Sequence, residues 1–131
     1  MTGNTVSYTS PHKDELESFD NPEKYPDLEF FIVGMENPLL LHRKILAEVS
    51  EEIKALLGNK KEQELKWPHD TSNAADRNAL VKALRFCYGE TLVVGTRNGE
   101  CCAMIAALSR LKDKFLDDIL KVLCNIAIEE A

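Results

Sequence analysis

Leu28-Glu29-Phe30-Phe31-Ile32-Val33 is followed by Gly34-Met35-Glu36-Asn37-Pro38, and that by Leu39-Leu40-Leu41-His42-Arg43-Lys44-Ile45-Leu46-Ala47. Two apolar runs about a turn rich in Gly, Asn and Pro predict a β-hairpin. From residue 44 the period changes. Ile45, Leu46, Val49, Ile53, Leu56 and Leu57 stand at steps near three and four, which predicts one amphipathic helix over residues 44–57, stopped by Gly58-Asn59.

Further along, Leu65 and Trp67 share one face of a short strand that Pro68 ends. Several residues between Asp70 and Asp76 can cap a helix whose stripe is Leu80, Leu84, Cys87 and Tyr88, closed by Gly89. Thr91 to Val94 is β-branched and predicts a fourth strand. Asn98 then offers a cap for a helix with the stripe Cys101, Met104, Ile105, Leu108 and Leu111. A last helix carries Phe115, Ile119, Val122, Leu123 and Ile126. Leu116, Leu120, Cys124 and Ala127 make that last helix apolar around much of its circumference, so a second surface is expected to cover it.

Upstream of the hairpin, residues 1–24 are rich in Ser, Thr, Asn, Pro and charge. Composition reads them as a flexible tail, with a short docking helix near residues 12–19 carried by Leu16 and Phe19. The compact domain is expected over residues 25–131.

The 131 residues suit one domain, and 16 Lys plus Arg against 22 Asp plus Glu give a net charge of -6. That balance argues against a nucleic-acid partner, because binding a phosphate backbone needs a field of cations. No apolar run approaches the roughly 18 residues of a spanning helix, so no membrane partner is expected. Cys87, Cys101, Cys102 and Cys124 sit in apolar segments without a disulfide framework's spacing, which reads as reduced thiols in cytoplasm or nucleus.

Little in the sequence reads as catalysis. Cys101 and Cys102 stand in a predicted first helical turn, where a thiol is acidified, yet buried Cys is the commoner reading, and a thiol enzyme is the alternative of another class. His12, His42 and His69 lack metal-ligand spacing, so neither a metal nor a cofactor is expected. His12 reads as part of the tail and His69 as an exposed strand end. His42, where strand passes into helix, is expected to fix that corner by hydrogen bonding.

Pro26-Asp27-Leu28-Glu29-Phe30, the run Leu41-His42-Arg43-Lys44-Ile45-Leu46-Ala47 with Ser50 a helical step later, and Phe86-Cys87-Tyr88-Gly89 together resemble the BTB/POZ domain family. The His-Arg-x-x-Leu-Ala run is the specific part, and His42, Leu46 and Ala47 are its structural residues. The resemblance implies an α+β fold in which a helical core is flanked by a small mixed sheet. It also implies a non-enzymatic association module: a homodimer acting as substrate adaptor on a cullin scaffold of a ubiquitin ligase, or a corepressor-recruiting scaffold that binds no cullin. Asp27 and Arg43 match the family's charged pocket. Interface residues are expected among Leu16, Phe19, Leu57, Leu65, Leu116 and Leu120.

The chain departs from the family at definite places. Ile53 replaces an aromatic, and only Leu16 and Phe19 stand where dimerising members carry a leucine-rich, exchanged helix. Residues 57–65 lack the hydrophobic-x-Glu signature of cullin binders, with Lys60 and Glu62 before its glutamates.

Overall fold

Leu28–Phe31 (β2) and Leu39–Leu41 (β3) form the expected antiparallel hairpin, with Leu28 opposite Leu41 and Phe30 opposite Leu39. The alternate side chains Leu28, Phe30, Leu39 and Leu41 are buried, as the two-residue period of a strand requires. Glu64–Lys66 (β4) pairs parallel to β2 on its other edge, so the sheet order is β3-β2-β4 and the sheet is mixed. The computed structural model from which these features are taken describes residues 5–58, 63–95 and 100–129, with the side chains of Val6 and of residues 125–129 left out. The stretch 59–62, Asn98 as a cap, and the side chains of Ile126 and Ala127 lie outside the described residues.

The helix predicted over 44–57 is two helices, Arg43–Val49 (α1) and Glu51–Leu57 (α2), broken at Ser50 in extended conformation. Tertiary pairing makes the break. The Ser50 hydroxyl accepts from the Ile53 N–H at 3.1 Å, capping α2, and donates to the Leu111 carbonyl. Lys114 N–H donates to Val49, and Glu51 N–H to Lys112, so the chain between the last two helices runs through the gap as a short bridge.

Ala74–Cys87 (α3) starts at Asn73, whose side chain accepts from the Ala75 N–H at 2.8 Å, and buries Leu80, Leu84, Phe86 and Cys87. Leu92–Gly95 (β5) follows, then Glu100–Leu111 (α4) and Leu116–Glu129 (α5). Helix α3 packs along α4, and α4 along α5. Among the described residues the fold is α+β: five α-helices with a three-stranded and a two-stranded sheet, the helical core with a small sheet that the sequence suggests. No helix among them is long and apolar enough to cross a membrane.

The N-terminal segment differs from the composition reading. Thr5–Tyr8 (β1) pairs antiparallel with β5, so structure begins well before residue 25. Leu16–Ser18 is a single 3-10 turn in place of the expected helix, and Leu16 and Phe19 pack against the core. Main-chain pairing and a few anchors hold this segment, and composition reports neither. Glu15 N–H donates to the Tyr88 carbonyl at 2.8 Å, and Ser10 Oγ to the Phe86 carbonyl at 2.9 Å. Gly89, at φ 101°, lets the chain pass this close: a Cβ there would stand 2.6 Å from Asp14 Cα.

Candidate functional site

Helix α1 begins at a corner built from four separate parts of the chain. His42 precedes it in extended conformation, and its side chain does not cap the helix. Asp27, just before β2, supplies the cap instead: its Oδ1 accepts from the Arg43 N–H at 2.8 Å, placing a negative charge where the first-turn N–H groups point. The Asp27 and Arg43 expected to form a charged pocket are thus adjacent, joined at least through the Arg43 main chain.

His42 is tied on three sides. Its backbone N–H donates to the Tyr88 hydroxyl at 2.8 Å, its Nδ1 lies 2.9 Å from the same oxygen, and its Nε2 lies 2.7 Å from the Lys24 carbonyl. A carbonyl only accepts, so Nε2 bears the hydrogen. In the neutral ring Nδ1 then accepts the Tyr88 O–H, and every group is satisfied. These contacts join His42, where β3 passes into α1, to Tyr88 and to the Lys24 carbonyl. Tyr88 was visible in the sequence only as part of a stripe, but a fully buried tyrosine needs a partner for its hydroxyl, which was the available signal. Burial also pushes its phenol well above the ordinary value.

Outward from Tyr88, Phe19 stacks edge-on at 5.3 Å, and the Arg85 guanidinium lies 5.3 Å over the Phe19 ring. Arg85 is held by two bonds to Glu90, at 2.8 and 3.1 Å. At the rim, Tyr25 is 90% exposed beside the Lys24 carbonyl that His42 holds. Leu46 is buried in the core and Ala47 is half-buried against it.

The expected interface residues fall into two groups. Leu16, Phe19, Leu116 and Leu120 are half-buried, with Leu116 and Leu120 one turn apart on α5. Leu57 and Leu65 are instead buried in the core, where no partner reaches them while the fold is intact. Their strand and helix periods already gave each a core-facing position. The main stripe of α5 packs on α4, with Ile119 and Leu123 buried and Val122 half-buried, while on the second face, the one expected to need covering, Leu116 and Leu120 are half-buried and Cys124 is exposed.

The thiols and remaining histidines are placed as follows. Cys101 is buried, its Sγ donates to the Leu123 carbonyl, and burial first, then the neighbouring thiols, push it up, away from nucleophilic character. Cys102 is exposed. His69 is half-buried and stacks on Trp67 at 5.1 Å. His12, read as tail, is instead a core residue: its ring lies between Phe86 and Phe115, and Nε2 is 2.9 Å from the buried carboxylate of Asp113. Among the described residues no group of His, Cys, Asp or Glu is arranged to hold a metal ion. No known family model matches the chain, and no curated protein matches it.

Proposed function

We propose that the chain is a protein-association module of the BTB/POZ kind, which pairs with a second copy and recruits a further protein, with a cullin scaffold as first candidate. One observation carries the reading. Residues that hold the resemblance although far apart in sequence, Asp27, His42, Arg43 and Tyr88, meet at a single corner and bond one another. The docked N-terminal segment adds support, because a segment held on a domain by main-chain pairing can be exchanged with a second copy at little enthalpic loss. Four free thiols suit a reducing cytoplasm or nucleus.

Candidate anchors are Phe19, Leu116, Leu120 and the exposed Tyr25, since aromatic and aliphatic side chains dominate association energy. The burial of Leu57 and Leu65 favours a second reading, a scaffold that recruits its partner without a cullin.

Light scattering on the full chain, over a hundredfold concentration range, tests pairing. A dimer that weakens in Leu116→Asp and Leu120→Asp, both still folded, is expected. A strict monomer that also retains neither purified cullin N-terminal domain nor a corepressor peptide overturns the reading. Dimerisation without cullin capture selects the scaffold.

A further inference from the structure

Between the N-terminal segment, α1 and the turn into α5 lies a cavity of about 450 Å³, in the size range of small-ligand sites. His12, Lys44, Val49, Cys87, Lys114 and Phe115 line it.

Its most informative group is His12. The imidazole side chain is only 4% exposed, and Nε2 is 2.9 Å from Asp113 Oδ2. Asp113 is itself fixed, with Oδ1 accepting from the Phe115 N–H at 2.8 Å. With a carboxylate oxygen as the partner Nε2 donates, which leaves Nδ1 as the ring's second hydrogen-bonding atom. Among the described residues no buried polar side-chain atom lacks a partner. Nδ1, which has no partner there, is therefore an accessible atom of a residue that lines the cavity.

The charges around it run against the rest of the protein. The chain carries a net charge of -6, yet Lys13, Lys44 and Lys114 border the cavity against Glu15 and Glu48. Lys13 is engaged by Glu15 at 3.2 Å. Lys44, on α1, and Lys114, in the turn before α5, both line it and form no ion pair among the described residues. Val49, Phe115 and the buried Cys87 supply an apolar floor.

The geometry points to a ligand site for a small 2-hydroxy carboxylic acid with an apolar body. The carboxylate lies between Lys44 and Lys114, the hydroxyl bonds His12 Nδ1, and the apolar body rests on Val49 and Phe115. This site does not depend on the association reading, since it uses a different set of residues.

The test is an NMR titration of the uniformly ¹⁵N-labelled full chain with mandelate. Two relatives are run beside it: phenylacetate, which lacks the hydroxyl, and mandelamide, which lacks the charge. Mandelate is expected to give saturable shifts confined to residues 11–15, 44–49 and 113–115, with each relative weaker by about tenfold, the size of one lost hydrogen bond to a polar partner. Lys44→Gln with Lys114→Gln, both at exposed positions, is expected to weaken mandelate by about tenfold or more. No saturable shift up to about 20 mM mandelate, well above a millimolar dissociation constant, overturns the site. So does an equal response to all three compounds on the unaltered chain, which needs no variant to fold.

Discussion

Replacing Tyr88 by Phe removes one oxygen from a ring with no exposed surface. The packing against Phe19 survives, because the ring itself is unchanged. What is lost is the acceptor for the His42 N–H at 2.8 Å and the donor to His42 Nδ1 at 2.9 Å. Leaving a buried polar group unsatisfied costs about 1–3 kcal/mol. His42 is half-buried, so water repairs part of the damage, and about 2 kcal/mol is expected for the two groups together. With a urea slope of about 2 kcal/mol per molar, the unfolding midpoint falls by about 1 M. Trp67, the single tryptophan and 4% exposed, reports the transition by its fluorescence.

The same substitution has a pH signature with a definite sign. Burial holds the Tyr88 phenol above its ordinary value in the folded protein, so above about pH 10 the unfolded chain releases this proton first. The unfolded state then binds fewer protons, and stability falls as pH rises. Tyr88→Phe lacks this contribution. The gap between the two proteins therefore narrows by about 1.4 kcal/mol per pH unit above pH 10. A midpoint that Tyr88→Phe leaves in place at pH 7, or a gap that stays constant at alkaline pH, refutes the role given to this hydroxyl.

Gly89→Ala forces a side chain at φ 101° onto Asp14; it is expected to lift the N-terminal segment and speed amide exchange across the β1–β5 pair, and unchanged exchange at residues 92–95 rejects that. Asp113→Ala strands the buried His12 Nε2–H and the Phe115 N–H, with a stability loss in urea of about 1–3 kcal/mol for each unsatisfied donor, whereas Asp113→Asn, which keeps an acceptor, loses clearly less. Ser50→Ala removes the cap of α2 and the donor to the Leu111 carbonyl, for about 1–2 kcal/mol by thermal unfolding. Cys87, pushed well up by burial, is expected to resist alkylation in the native state and react only on unfolding, which mass spectrometry of the labelled protein reads directly.

Much of the fold was legible where side chains carry a period. The hairpin at residues 28–41 and helices α3, α4 and α5 lie within a few residues of the positions their stripes predict. The break at Ser50 was not legible: Ile45, Val49 and Ile53 continue one helical stripe across it, and only the bridge from residues 112–114 interrupts the backbone. Strand β1 escaped for a related reason. Thr5-Val6-Ser7-Tyr8 alternates over only four residues inside a Ser-, Thr- and Pro-rich stretch, and its place comes from pairing with β5.

Of the candidate sites, His42 was legible by its position between strand and helix, and Asp27 with Arg43 by resemblance. Leu57 and Leu65 were named as interface residues although each also belongs to a stripe that faces the core, and the structure buries both there. His12 gave no signal at all. Its partner Asp113 is 101 residues away, and a histidine among Ser, Pro and Lys reads as solvated.

From residue 28 on, the break at Ser50 apart, the sequence by itself determined the order of strands and helices, the core residues on each, and the hydrogen-bonding need at the His42 corner, because these depend on periodicity and capping within a few residues. Only the tertiary structure decided that the N-terminal segment lies on the domain, that Tyr88 meets His42, and that His12, which lines a cavity, meets Asp113. Those are pairings of polar groups across 46 and 101 residues of chain. Their strength comes from exclusion of water on both partners, which exists only once the core around them has formed.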